Sequence, residues 1–450
     1  MAKGPDIREA ALMTLLDMEK SGKLSHIAIS DALMRLQFAP RQDRAFFTLL
    51  CEGVTERRIY LDYILDQFSR TKMKKCKPLI RNLLRMSAYQ ILFTNVRDAA
   101  ACSEAVSLAK KKGFKGLSGF VNGVLRTLVR NKEALPVPDR NEGDLSYLSV
   151  IYSMPRWIVE HFLILYGPET TERMLASFLQ VRPVTIRTNL LKCSPDELAA
   201  RLGEEGVTVE AGDYFPYAFH ISGFNYLGKL GSFRDGWFTV QDESSMLPAA
   251  VADLRAGDLV IDVCAAPGGK TFHAADRVTE TGTVIARDLT EYKTELIKEN
   301  NDRIGYDHIK TQCWDAAVYD ESLAGSADLV IADLPCSGLG IMGRKNDIKY
   351  NVSRQQMNDL VILQRKILAA VSRYVKPGGQ LVYSTCTINP AENEENVRWL
   401  MDHTPLRTVS IEDKLPESLK GKTGKEGCIQ VLPGLSAGDG FFVAKLQLPM

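Results

Sequence analysis

Two cysteines of this 450-residue chain sit where a thiol could react. Cys386 follows the apolar run of LVYSTCTINPAENEENV, Leu381 to Val397, and shares its TC pair with Thr385. Cys336 follows the apolar run of DLVIADLPCSGLG, Asp328 to Gly340, which also carries Asp333. Most cysteines in reduced proteins are small buried hydrophobes, but these two stand beside polar and turn residues, where thiols are reachable. A thiolate is a competent nucleophile toward electron-poor carbon. One reaction that needs two thiols and an acid is methylation of a cytosine at C5, a carbon too weakly nucleophilic to take a methyl group from a sulfonium unaided. A thiolate adding to C6 turns the ring into an enamine-like species whose C5 can attack. A carboxylic acid such as Asp333 can support that adduct by a hydrogen bond at N3. The C5 proton must then leave and the thiol be expelled, a release that a second cysteine can assist. The base must be unstacked or flipped out to reach such a cleft.

A third chemistry-bearing segment is LVIDVCAAPGGKT, Leu259 to Thr271, an apolar strand running into a small-residue turn and a helix. Gly268 and Gly269 are expected to let the backbone approach a ligand closely. The segment lacks both the GxxxxGK spacing of a phosphate loop and the GxGxxG dinucleotide fingerprint, so a phosphate cradle fits poorly. The turn Cys264, Ala265, Ala266, Pro267, Gly268, Gly269 and Lys270 suits instead an uncharged or zwitterionic ligand, such as the methionine part of S-adenosylmethionine. Asp288, ending TVIARDL about twenty residues on, stands where an acid accepts hydrogen bonds from ribose hydroxyls. Asp315, after IKTQCW, could accept one from an adenine amino group. Each aspartate alone would more often cap a helix or turn; their shared position after successive strands favours the functional reading. Cys264 is expected to pack rather than react.

These residues need a scaffold that gathers strand ends. After Gly231 the order is strand, helix, strand, helix: LVIDVC, TVIARDL, IKTQCW, DLVIADL and GGQLVYSTC are short apolar runs bounded by turn residues. That alternation predicts a mostly parallel sheet with helices on both faces, which binds ligands at the carboxyl ends of its strands. If the fourth and fifth strands are neighbours, Cys336 and Cys386 face one cleft. Upstream, residues 5–132 repeat apolar residues at helical spacing, in REAALMTLLDMEK, RAFFTLLCEGVTERRIYLDYILDQF and PLIRNLLRMSAYQILFTNV, and predict a helical bundle. ALPVPDRNEGD, Ala134 to Asp144, reads as a linker. SYLSVIYSMPRWIVEHFLILYG is a helical lead-in, followed by a strand in PVTIRTNLL, a helix in SPDELAARLGEEG and another short strand. The predicted organisation is multidomain: an all-α helical domain over 1–140, a connecting α+β segment over 141–235, and an α/β Rossmann-like domain over 236–450.

Charge is divided along the chain. Residues 1–140 carry 25 Lys and Arg against 14 Asp and Glu, a net of +11, whereas the remainder carries 31 against 41, a net of −10. A basic module fused to an acidic one fits a polyanion partner, although a solvated basic face explains the charge as well. Nine cysteines, odd in number and without a CxxC pair, argue against a disulfide framework or a zinc ribbon, and no His/Cys cluster has metal-ligand spacing. No apolar run approaches the roughly 18–20 residues that span a bilayer, and MAKGPDIREA lacks the apolar core of a signal peptide. A cytosolic protein with no membrane partner is expected.

At these motifs the chain resembles the Sun/Fmu family of RNA cytosine-C5 methyltransferases, in its bacterial ribosomal RNA branch. DVCAAPGGKT, ARDLTEYK, DLPCSGLG, YSTCTINPAENEENV and the terminal DGFFVAKL follow the family's motifs in order, and QDESSMLPA and PRWIVEHFLILYG match its lead-in segments. DVCAAPGGKT alone identifies only the wider family; the set covers nearly the whole chain. The resemblance implies an S-adenosylmethionine site lined by Cys264 to Lys270 with Asp288, Asp315 and Asp333. It also implies Cys386 as the nucleophile and Cys336 as the residue that helps release the product. Lys293 matches a recurrent lysine whose role is left open. Leu334 and Asn346 depart from the small residue and the proline usual there; neither is a reacting group, which leaves them to tune the base pocket. The helical domain resembles a NusB-type RNA-binding domain in SEAVSLAKKKG and GFVNGVLRTLVRN. This narrows the expected partner to small-subunit ribosomal RNA, bound by a monomer with no obligate protein partner. Lys72, Lys74, Lys75, Lys77, Lys110, Lys111, Lys112 and Lys115 would then touch phosphates, and PVTIRTN would add RNA contacts.

Three other readings share parts of this pattern. A transfer RNA cytosine methyltransferase would carry the same catalytic motifs, and only the first domain speaks against it. An inactive RNA-binding or antitermination factor would have no need of both cysteines, the aspartates and the glycine turn. A cysteine hydrolase built on Cys386 would want a histidine partner, and the six histidines show no such spacing.

Overall fold

The computed structural model describes residues 6–424 and 427–450; the first residue of the helical stretch read from the sequence lies outside them. The chain divides into two compact units, Met1–Leu179 with Met342–Asn351, and Gln180–Ile341 with Val352–Met450. The first unit therefore runs past the Ala134–Asp144 linker and takes in the helical lead-in. It also takes in ten residues that follow the DLPCSGLG motif, Asn346 among them, so Asn346 packs with the helices.

The first unit is all helical. Asp6 caps the helix Ile7–Ser21 by accepting from the Glu9 N–H at 3.1 Å, and Pro78 opens the helix Pro78–Phe93 where no N–H is needed. That second helix buries Ile80, Leu83, Leu84, Met86, Ala88 and Ile91, which lie around most of its circumference, and so forms the centre of the bundle. Helices Arg41–Glu56, Arg58–Phe68 and Ser118–Asn131 turn Leu50, Val54, Leu61, Ile64, Val124 and Leu125 toward the same core. Arg85 is drawn into it by a two-pronged bond to Asp62, both distances 2.7 Å.

The second unit holds two sheets. Strands β1 (Val184–Thr188), β2 (Thr208–Ala211), β3 (Ala218–Ser222) and β4 (Phe238–Val240) form a small antiparallel sheet in the order β2-β3-β1-β4. A Ser194–Glu197 capping box starts the helix Pro195–Glu204 beside it. This sheet corrects the expected role of PVTIRTN. Thr185, Ile186, Arg187, Thr188 and Asn189 are all buried, and the Arg187 guanidinium is engaged by Asp276, Gln241 and Asn189. Asp276 also accepts from the Tyr306 hydroxyl, which closes a buried polar knot and leaves the arginine nothing to offer RNA.

The larger sheet contains β5 (Leu259–Asp262), β6 (Thr283–Asp288), β7 (Ile309–Cys313), β8 (Ala327–Asp333), β9 (Val375–Thr385), β10 (Arg407–Thr408), β11 (Ile429–Val431) and β12 (Phe441–Gln447). Its order is β10-β12-β9-β8-β5-β6-β7, with β11 paired to β12. The five strands β5 to β9 are parallel to their neighbours and β12 runs antiparallel to β9. Apolar residues on both faces of β5, β6, β8 and β9 pack under helices, the signature of a sheet covered on each side. This is the multidomain architecture expected from the sequence, an all-α unit followed by a Rossmann-like α/β sheet. All five expected strands are present, and their carboxyl ends lie along one edge.

Candidate active site

β8 and β9 are paired in register, with Asp333 opposite Ser384. Just beyond their ends Cys336 Sγ and Cys386 Sγ lie 3.3 Å apart, each thiol half-buried. Three backbone segments are stitched together here: Gly340 donates to Cys386 O at 3.1 Å, and Gly440 donates to Gly340 O at 2.9 Å. A Cβ on Gly340 would fall 2.1 Å from Gly440 O and 2.8 Å from Cys386 O. The glycine that ends DLPCSGLG and the one in the terminal DGFF therefore stand where their chains touch beside the thiols. The Cys386 thiol beside it, together with burial, pushes the Cys336 thiol well above its usual range. Two thiols this close cannot both ionise readily, so the pair gives up one proton first.

Asp333 ends β8. Its Oδ2 is 2.7 Å from Lys270 Nζ and its Oδ1 accepts from Ser384 Oγ at 2.8 Å. Burial alone would lower the Lys270 ammonium, but Asp333 outweighs it and holds the group above its ordinary value. The ammonium also lies 5.2 Å from the centre of the Phe441 ring. Lys270, expected in the cofactor turn, is thus aimed at the residue beside the thiols. Asp333 stands as an acceptor flanked by two donors, so the hydrogen bond to N3 expected of it requires a proton passed from its neighbour. Ser384 and Phe441 belong to this site, and the sequence does not single them out. The motifs containing them are visible in it, but their inward direction is not.

The residues expected to hold the cofactor lie on the next strands. The turn Cys264–Lys270 follows β5, Asp288 ends β6, and Asp315 follows β7. Asp288 Oδ2 accepts from the Ala266 N–H at 3.0 Å, and its Oδ1 accepts from the Leu289 N–H at 2.8 Å and pairs with Lys293 Nζ at 2.9 Å. Lys293 is therefore a partner of the expected ribose acid. Asp315 is exposed and accepts from the Ala317 N–H at 2.9 Å. Burial pushes Asp262, beneath the turn, up to about 7, and pushes the Cys264 thiol well above its usual range, which makes Cys264 a packing residue. One expectation is revised. Gly268 has φ of +111°, and a Cβ there would lie 2.4 Å from the Phe272 ring, so this glycine serves the turn's own packing. The carboxylates of Asp333, Asp288 and Asp315 along one sheet edge suit a ligand carrying a sulfonium and an ammonium, and so fit S-adenosylmethionine. Leu334 is buried, in the hydrophobic cluster that also holds Ile261, Val330 and Tyr383.

Among the described residues one cluster, Asp213, His220 and Glu243, has metal-like spacing. Glu243 already accepts from the N–H groups of Asp213, Tyr214 and Phe215, so the cluster closes a loop. No described helix is long and apolar enough to cross a membrane. In the helical unit Lys72, Lys74, Lys75, Lys77, Lys110, Lys111 and Lys115 are exposed. Lys111 and Lys112 pair with Glu9, the latter at 2.5 Å, and Lys77 lies 5.5 Å from the Phe114 ring centre.

Comparison with known proteins agrees with this layout. Residues 249–447 match the family described as 16S rRNA methyltransferase RsmB/F, residues 5–130 the NusB family, and residues 154–225 the ferredoxin-like domain of RsmF/B-like methyltransferases. The probable ribosomal RNA small subunit methyltransferase B of Bacillus subtilis is 35% identical over 449 residues, covering 99% of each chain. The ribosomal RNA small subunit methyltransferase B of Cronobacter sakazakii is 30% identical over 452 residues, again 99% of each. The crystal structure of PH0851 matches with a TM-score of 0.80 and 25% identity, over 99% of this chain and 100% of that one. NSun6 from Pyrococcus horikoshii, solved with SFG, shares the fold at a TM-score of 0.59 and 22% identity, over 67% of this chain and 100% of that one. A relative 35% identical from end to end, together with the three domain matches in order, shows that the chain belongs to the RsmB/F family of 16S rRNA methyltransferases.

Proposed function

We propose that this chain methylates C5 of a cytosine in small-subunit ribosomal RNA, with Cys386 as the covalent nucleophile. The observation that carries the proposal is the 3.3 Å approach of Cys336 and Cys386 beside the Lys270–Asp333 pair, at the carboxyl edge of the sheet. The names of the similar curated proteins supply the ribosomal substrate.

S-adenosylmethionine, held by the turn after β5 with Asp288 and Asp315, supplies an electrophilic methyl group. The residues of the chain do the rest. Cys386 adds as a thiolate to C6 of the flipped base, and N3 gains the displaced charge. The Lys270–Asp333 pair meets that charge by passing a proton from the ammonium through the carboxyl group to N3. Once Cys386 is a thioether, its charge no longer opposes ionisation of Cys336, although burial still does, and Cys336 becomes a thiolate by releasing its proton to solvent water. It then takes the proton from C5, the C6–S bond breaks, Cys386 leaves as a thiolate, and the N3 proton returns.

Bisulfite sequencing of total RNA from cells with and without the protein tests this. Loss of one protected cytosine in small-subunit ribosomal RNA is expected. Loss confined to a transfer RNA would overturn the substrate, and no change in any RNA would overturn the activity.

A further inference from the structure

We propose that Glu392 is a positioning residue that sets the distance between the two reactive thiols, an inference that rests on Cys386 and Cys336 acting as described above. Both cysteines lie beyond the last paired residues of β8 and β9, so the strand ladder does not hold their side chains in place. Glu392 lies just before the helix Glu394–His403 and is fully buried. Its carboxylate is shared between the two cysteine loops. From the Cys336 loop, the Ser337 N–H donates to Oε2 at 2.8 Å and the Ser337 hydroxyl donates to Oε1 at 2.6 Å. From the Cys386 loop, Asn389 Nδ2 donates to Oε1 at 2.9 Å.

Two further interactions tighten the arrangement. Gln364 Nε2 donates both to Glu392 Oε2, at 3.1 Å, and to the carbonyl of Pro335, the residue before Cys336, at 2.8 Å. Ser337 Oγ is also 2.7 Å from Thr387 Oγ1, so the residues following the two cysteines touch directly. A carboxylate filled by four neutral donors is costly to bury. It offers what a neutral side chain of the same shape lacks: acceptor oxygens on both sides and no donor of its own. A glutamine here would turn its N–H groups either toward Ser337 Oγ and Asn389 Nδ2 or toward the Ser337 N–H and Gln364 Nε2, and in each case donor would face donor and part of the link between the cysteine loops would be lost.

The test uses the full-length protein with an RNA transcript carrying the target cytosine. Glu392→Gln, Ser337→Ala and the double variant are compared for kcat, KM, melting temperature and the rate at which diamide joins Cys336 to Cys386. In that crosslinking each thiol loses a proton, one S–S bond forms, and diamide takes up two electrons and two protons. Glu392→Gln is expected to lower kcat by about tenfold or more, since displacements near 1 Å can cost about a hundredfold. KM should stay within about twofold, and the crosslinking rate should change severalfold. The double variant should be no worse than the poorer single variant. Unchanged kcat, or a lower kcat with an unchanged crosslinking rate, overturns the proposal; if Glu392→Gln does not fold, the same two readouts on Ser337→Ala decide it. Activity surviving in Cys386→Ala would instead defeat the covalent mechanism itself, whatever Glu392→Gln does.

Discussion

Lys270 Nζ lies 2.7 Å from Asp333 Oδ2, tying the first turn of the helix that follows β5 to the end of β8. The two side chains retain 15% and 25% of their exposure, so the pair is only partly screened by water. Lys270→Met would leave Asp333 without its cation and without the proposed proton source for N3. A loss of roughly a hundredfold to a thousandfold in single-turnover methylation is expected, the scale for removing one charge-stabilising group. Lys270→Arg, which keeps the charge but is a far weaker acid, should recover little. Full recovery in the arginine variant would show that charge alone matters and no proton moves.

The 3.3 Å between Cys336 and Cys386 separates their roles experimentally. Cys386→Ala should abolish methylation. Cys336→Ala should stall after methyl transfer and accumulate a protein–RNA adduct, seen as a slow band on a denaturing gel, and adding Cys386→Ala should remove that band. A Cys336→Ala protein that turns over without an adduct would assign Cys336 another role.

Lys349 gives a pH-dependent stability. It lies within Met342–Asn351, its Nζ donates to Glu56 O at 2.8 Å, and burial pushes its ammonium down to about 7. Arg57 and Arg58 act in the same direction and Glu56 opposes them. Between pH 7 and about 10.5 the unfolded chain holds a proton that the folded chain has released, so stability rises with pH across that window. Lys349→Met removes the titration. The variant should be the more stable protein at pH 7, with the difference shrinking toward pH 10 by at most about 1.4 kcal/mol per pH unit. Thermal melts of both proteins at several pH values check this, and a gap that does not change with pH would refute it.

The basic cluster divides in two. Glu9 already neutralises part of Lys111 and Lys112, whereas Lys74 and Lys75 are exposed. Replacing Lys72, Lys74, Lys75 and Lys77 by alanine should weaken RNA binding and lower the slope of log Kd against log salt by roughly one unit for each phosphate that a lysine had neutralised. Lys111→Ala should change the slope less. Fluorescence anisotropy across a salt series measures both, and an unchanged slope would make the cluster an ordinary solvated face.

The candidate site residues are legible in the amino-acid order because their signals are local. An apolar run followed by a turn marks the end of a buried strand, and Cys264, Asp288, Asp315, Asp333 and Cys386 each follow or close such a run. The capping of Ser194–Glu197 and the apolar spacing of residues 78–96 likewise act over a few residues. Other features depend on residues far apart in sequence. Cys336 and Cys386 are 50 positions apart, and only the pairing of β8 with β9 brings their sulfurs together. The family resemblance assigns RNA contacts to PVTIRTN, yet β1 packs its Arg187 against Asp276, 89 positions away. Gly268 and Lys270 sit in one turn, yet Phe272 takes the space beside the first and Asp333 draws the second. Met342–Asn351 follows the DLPCSGLG segment and packs with the helical unit. Sequence order determined which groups this protein brings to the candidate site, because short-range patterns decide strands, helices and turns. Tertiary packing decided where those groups point and what holds them, because burial and hydrogen-bond partners come from segments that meet only in the folded chain.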